Sequence, residues 1–237
     1  VTPSTAGAGV SRRIDQRRSL LKAEIVACKT VGGELQSFLP DGMRCTLLEF
    51  GLHLDPDRLH TALQKQIDDH PPGIDTILLG YGMCSRGTVG LESRDVRLVI
   101  PRVDDCIGLF LGSREEYLRQ NREAPGTFYL TSGWIECGDD PYREYLSLCA
   151  KYGPEKASRI ERLYINNYTR LAFIRTGEGD AERHLSYARA QAEFFGLRFE
   201  EIRGSRTLLE KLLTGTWDDD FVVVEPGQTV RQEMFID

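Results

Sequence analysis

Four side chains suited to soft metals fall just beyond apolar runs that read as strands. Cys28 closes Glu24-Ile25-Val26-Ala27, and His53 follows Thr46-Leu47-Leu48-Glu49-Phe50. Cys84 comes shortly after Asp75-Thr76-Ile77-Leu78-Leu79, and Cys106 after Arg97-Leu98-Val99-Ile100-Pro101. If the runs are parallel strands, the four side chains gather at one edge of one sheet, where open α/β sheets bind ligands. Three thiols and an imidazole are the donors of zinc, or of a 4Fe–4S cluster with one iron left open. No CxxC pair is present among the six cysteines, which disfavours a zinc ribbon or finger. Free cysteine also fills cores, so packing is the competing reading of each thiol. Cys45 begins a strand and is expected at the opposite edge, in the core.

The loop after the third run, Gly80 to Gly90, is rich in glycine. Gly80, Gly82 and Gly87 would let backbone N–H groups approach an anion, with Arg86 meeting a carboxylate or phosphate. The loop is not a dinucleotide fingerprint, because Ser85 stands at the third glycine position, and no Gly-Lys-Ser/Thr follows to make a P-loop. Its glycines could equally serve a tight turn. Asp104 and Asp105 flank Cys106 and are candidate acids or bases, or helix caps. Glu136, beside Trp134, is a third candidate carboxylate facing a cleft. A serine triad has no support, since no GxSxG elbow occurs. His184 is expected on an exposed helix face. The turn Thr176 to Asp180 carries two carboxylates that would repel a phosphate.

These residues need elements to hold them, and strand and helix signals alternate along the chain. That alternation predicts an α/β protein with mainly parallel sheets and helices on both faces, arranged as two Rossmann-like lobes with a cleft between them. Strands are expected at Glu24–Cys28, Cys45–Gly51, Asp75–Leu79, Arg97–Pro101 and Phe128–Leu130, then at Leu171–Arg175, Arg198–Ile202 and Phe221–Glu225. Helical segments are expected over Gly33–Leu39, from Pro56 with Asp55 as N-cap, and from Ser113 with Glu116 in capping-box spacing. Further helices read as Pro141–Tyr152, Pro154–Asn166, Ala181–Phe195 and Ser205–Leu213. The expected division is a flexible leader and basic arm over 1–22, a first lobe over 23–165 with the cysteine cluster, and a second βαβαβ lobe over 166–237.

Composition narrows the classes. The 237 residues are 41% hydrophobic and 28% charged, as in ordinary globular chains. A net charge of −6 gives no electrostatic basis for nucleic-acid binding. No apolar run approaches the roughly 18–20 residues that span a bilayer, and no secretory signal opens the chain. A cytoplasmic protein with reduced thiols is expected, taking a small-molecule substrate in its inter-lobe cleft.

A string of local patterns adds a resemblance. In order these are Ala27-Cys28-Lys29, GYGMCSRGTVGL from Gly80, LVIPRVDDCIGLFLGS from Leu98, TFYLTSGWIE from Thr127, NYTRLAFIRTG from Asn167 and WDDDFVVVEPG from Trp217. Together they resemble the uncharacterised family catalogued as domain of unknown function 1638, over nearly everything from Leu21 to Gly227. The resemblance implies Cys at the positions of Cys28, Cys84 and Cys106 and His at that of His53. It also implies a setting of one-carbon metabolism, with a corrinoid protein or a methylamine-type methyltransferase nearby. Many relatives carry His before the third Cys, where this chain has Asp104 and Asp105, so a carboxylate or His53 would have to serve instead. The leading expectation is a zinc or 4Fe–4S protein of one-carbon metabolism: a metal-dependent methyltransferase, or an iron–sulfur lyase or desulfidase. The alternatives are a non-catalytic accessory protein that binds a corrinoid protein or methyltransferase, and a bilobal small-molecule sensor.

Overall fold

The structure is a computed structural model that describes residues 22–138, 140–177 and 181–236. The expected leader and basic arm therefore lie outside the described residues, apart from Lys22, as does the Glu178–Asp180 part of the acidic turn. Two sheets organise the rest. The first has the order β2-β1-β3-β4-β8 and the second β5-β6-β7.

In the first sheet, β1 (Ala23–Cys28) is buried along its whole length, as is β3 (Thr76–Gly80). Such runs read as continuous apolar segments because both faces of a parallel sheet are covered. Fully buried side chains such as Ile25 and Leu78 contribute on the order of 1.5–3 kcal/mol each. β2 (Cys45–Leu48) and β4 (Arg97–Pro101) complete the parallel part. Helix α1 (Lys29–Gln36) begins directly after Cys28, earlier than the expected Gly33 start. Its Gly32 lies under Leu47, where a Cβ would come within 2.6 Å of a leucine methyl. β2 stops at Leu48 rather than Gly51, because Gly51 turns the chain with φ +89° into a short 3-10 turn, Leu52–Leu54. Helix α2 (Pro56–Asp68) starts as its sequence predicts: Asp55 accepts from the Arg58 N–H at 3.2 Å, and Leu59, Leu63 and Ile67 face the core. After β4 come α3 (Cys106–Leu111) and α4 (Arg114–Glu123), the latter capped by Ser113 accepting from the Glu116 N–H at 3.1 Å.

The second sheet contains β5 (Thr127–Leu130), β6 (Arg170–Arg175) and β7 (Arg198–Arg203), all parallel. Between β5 and β6 run α5 (Ser132–Cys137), α6 (Pro141–Tyr152) and α7 (Pro154–Ile165). Helix α8 (Ala181–Phe195) joins β6 to β7, and α9 (Thr207–Thr214) leads to β8 (Phe221–Val224).

The sheets do not follow the expected division at residue 165. β5 pairs with β6, while β8 returns to the first sheet and lies antiparallel to β4 with Leu98 opposite Val224. The fold is thus a mixed α/β structure with mostly parallel sheets. One core of buried side chains runs from β1, β3 and β4 to Ala172, Ile174 and Ile202 of the second sheet. A smaller one holds Leu171, Phe173, Leu185 and Ala188. Among the described residues no helix is long and apolar enough to cross a membrane.

Candidate functional site

In the first sheet the strand order reverses between β1 and β3, since β2 lies outside β1 and β4 beyond β3. The carboxyl ends of strands at such a reversal form a ligand crevice. Cys28 is the last residue of β1 and sits at the N-cap position of α1. Cys84 lies in the loop that leaves β3, and Cys106 is the first residue of α3.

The loop carrying Cys84 is held by its backbone. Met83 and Cys84 donate their N–H groups to the carbonyls of Val103 and Asp104, at 2.8 and 2.9 Å. Cys84, Ser85 and Arg86 all have left-handed backbones, with φ of 47°, 54° and 72°. Each costs a non-glycine residue roughly 1 kcal/mol or more, and such strain gathers at functional sites. The neighbouring glycines are explained by packing against the protein itself. A Cβ on Gly80 would strike the Ala27 Cβ at 2.6 Å. One on Gly82 would lie 2.5 Å from the Val103 carbonyl oxygen, and one on Gly87 would meet Leu59 at 2.6 Å. Arg86 points from the same turn but is exposed.

A buried phenol lies within electrostatic reach of all three thiols. Tyr81 is 3% exposed, and its hydroxyl has no hydrogen-bond partner among the described residues. Burial pushes its ionisation well above the usual tyrosine range, and the charges that Cys28, Cys84 and Cys106 would carry push it further. Burial likewise raises the Cys84 thiol to about 12, with the Asp105 carboxylate adding to the effect. Cys106 is raised by the same two causes and then by Cys84 and Cys28. Both are therefore neutral thiols at physiological pH, and weak nucleophiles. Cys28 accepts a hydrogen bond from the Thr30 hydroxyl at 3.2 Å.

Asp105 caps α3, accepting from the Ile107 N–H at 2.8 Å and from the Tyr117 hydroxyl at 3.1 Å. Burial raises its pKa, against the lowering effect of those donors. Asp104 forms an ion pair with Arg114 at 3.3 Å. Both aspartates flanking Cys106 thus have structural partners.

His53 follows the turn at Gly51. The turn at Gly51 carries it to the wall of a cavity of about 390 Å³, edge-on to Phe50 with ring centroids 5.2 Å apart. Tyr129, Trp134 and Ile107 share that wall, and none of the three cysteines lines it. Glu136 faces a separate cavity of about 280 Å³, with Glu34, Arg175, Arg206 and His184. His184 is 2% exposed, against the expectation of a solvated face. It sits one residue before Leu185, on the side of α8 that packs inward with Ala188, Gln191 and Ala192.

The donor types at the thiol site suit zinc or an iron–sulfur cluster. Their placement is less complete: among the described residues no three His, Cys, Asp or Glu side chains are positioned to hold one ion together. Sequence reasoning singled out the cysteines but not Tyr81. Its signal was an aromatic residue inside Gly80-Tyr81-Gly82, immediately at a strand's carboxyl end.

The fold and this edge define a mixed α/β protein with cysteines at the reversal point of a mostly parallel sheet. The chain belongs to the family described as Protein of unknown function (DUF1638), whose model matches residues 47–213. The match includes His53, Cys84 and Cys106, while Cys28 precedes it. No curated protein and no solved structure matches the chain.

Proposed function

We propose that this chain is a metal-binding protein whose site is Cys28, Cys84 and Cys106 around the Tyr81 hydroxyl, in a cleft formed where two α/β lobes meet. The observation that carries the reading is the buried Tyr81 hydroxyl without a partner, within electrostatic reach of three thiols at the strand reversal. A buried polar atom left unsatisfied costs about 1–3 kcal/mol, so its retention beside soft donors favours a ligand that meets it. The strained turn at Cys84 supports the same reading. Three thiolates would leave one position open on zinc, or one iron open in a 4Fe–4S cluster, for a substrate sulfur or oxygen. The three cysteine side chains must turn toward one another to share the metal. His53 has no part in that set and belongs to the aromatic cavity. One-carbon and corrinoid chemistry rests on the family resemblance alone.

The test is anaerobic purification of wild type and Cys84→Ala, followed by an absorption spectrum and elemental analysis. A broad visible band with iron, lost in the variant, supports a cluster. Colourless protein with stoichiometric zinc, also lost, supports zinc. Absence of both metals after reconstitution rejects the reading.

A second reading is an accessory protein that binds a corrinoid protein or methyltransferase. Exposed Leu54 and Tyr164 at the rim of the aromatic cavity favour it, because large exposed apolar side chains around a hollow suit a docking partner. Metal-free protein that retains such a partner through this rim, and loses it in Leu54→Asp, would support this reading over the first.

A further inference from the structure

Six aromatic rings from separate parts of the chain line the cavity of about 390 Å³ that His53 borders. Phe50 follows β2, Phe128 and Tyr129 lie on β5, Trp134 on α5, and Tyr164 and Tyr168 at and just beyond the end of α7. We infer that this cavity binds a quaternary ammonium ion, a nitrogen cation that carries four carbon substituents and no N–H group.

Ring chemistry and charge point the same way. An aromatic face is negative, so a cation seated among rings is attracted without any hydrogen bond. The rest of the wall has the matching sign: it includes Asp140 and Glu144, and among the described residues no lysine or arginine lines it. The rings are half-buried, apart from Tyr164, which is exposed. Apolar surface left wet in this way costs ~25 cal/mol per Å² until a ligand covers it. The ring planes also differ in direction. Phe128 and Tyr168 meet at 74° with centroids 5.3 Å apart, and Tyr164 is tilted by 49° to Tyr168. Rings at steep angles enclose a rounded group such as trimethylammonium from more than one side, whereas a flat ligand calls for parallel walls.

The buried polar groups of the wall select against cations that must donate hydrogen bonds. Asp140 accepts from the N–H groups of Tyr142 and Arg143 at 3.2 and 3.1 Å, accepts from the Tyr187 hydroxyl at 3.2 Å, and pairs with the Arg143 guanidinium at 3.5 Å. Thr127 donates to the Ala124 carbonyl at 2.6 Å and accepts from Arg170 at 2.7 Å. A primary ammonium group would give up water here for acceptors already in use. A fully substituted nitrogen has no donor to satisfy. The Arg143 pair offsets part of the Asp140 charge, so the rings supply most of the attraction.

This inference needs no metal, and it can fail while the thiol site stands, or stand while that fails. The experiment uses the full chain after chelator treatment, at about pH 8, where an ordinary histidine is neutral. Choline and tetramethylammonium are titrated by calorimetry and ligand-observed NMR. The controls are the neutral isostere of choline, in which tert-butyl replaces trimethylammonium, and ethanolamine, its unmethylated form. At least one cation should saturate in the millimolar range or tighter, about tenfold more tightly than either control. Tyr168→Leu keeps apolar bulk but removes a ring face, and should weaken that cation about tenfold, while Tyr168→Phe should hold it within about threefold. Glu144→Lys, on the exposed rim, leaves the packing untouched and serves as the second variant. It should weaken the cation several-fold and leave the neutral isostere unchanged. No saturation by either cation, a control that binds as tightly, or cation binding left unchanged by either folded variant would overturn the inference.

Discussion

The carboxyl edges of the two sheets use the same backbone architecture for opposite chemistry. At the edge of the first sheet, Cys28, Cys84, Cys106 and Tyr81 lie in a buried setting that keeps Cys84 and Cys106 protonated. At the edge of the second, Arg175, Arg206, Glu34 and Glu136 line an open polar space, where Arg206 pairs with Glu34 and Arg175 with Glu182 and Glu201. Strand order accounts for part of the difference. The first sheet reverses direction between β1 and β3 and opens a crevice there, while β5, β6 and β7 follow in sequence with no reversal. The lesson is that a parallel sheet supplies positions at its edge, and local burial decides whether those positions hold neutral soft donors or paired charges.

The two edges approach most closely at one glycine, and breaking that contact should have the largest effect. A Cβ on Gly133 of α5 would collide with the carbonyl oxygen of Thr30 in α1. Gly133→Leu is expected to destabilise the protein by about 3 kcal/mol through overpacking. Equilibrium urea unfolding checks this, and a loss below about 1 kcal/mol would mean that the contact is not rigid.

A smaller effect sharpens the first edge alone. Tyr81→Phe removes a buried hydroxyl with no partner, so the metal-free protein should gain about 1 kcal/mol of stability. Denaturant unfolding of chelator-treated protein tests it. Destabilisation instead would reveal a hydrogen bond that the hydroxyl makes within the protein.

The smallest effect concerns the opposite end of the first sheet. Glu24 is buried in β1 and paired with Arg44 at 2.9 Å, yet burial raises its pKa above the ordinary 4.5. The folded state therefore holds this proton more tightly than the unfolded chain does. Stability should be greatest below 4.5 for this group and fall as pH rises through the window just above it. Glu24→Gln should flatten that part of a stability–pH curve, and an unchanged slope would assign it to other carboxylates.

Much of this was legible in the sequence, for a definite reason. Strand ends could be read from apolar runs, so Cys28, Cys84 and Cys106 were placed at the carboxyl ends of parallel strands without any structure. The place of His53 on the aromatic cavity was not legible, because Gly51 adopts a left-handed conformation and a 3-10 turn follows it. No hydrophobic period encodes that turn. Phe221–Val224 reads as a buried strand wherever it pairs, so its return to β4 was invisible to local patterning, as was the membership of Thr127–Leu130 in the second sheet. His184 and Gln191 are polar residues on the inward side of α8, where periodicity alone would place apolar ones.

The return of β8 also bears on how the chain is made. The edge of β4 finds its partner only in Phe221–Val224, more than a hundred residues later. During synthesis, β4 emerges and must wait with one side unpaired while the whole second sheet is translated. An exposed strand edge is a template for association with other chains. Nascent chains stopped before Phe221 should therefore call on chaperones more heavily than the finished protein, however well their second sheet has folded.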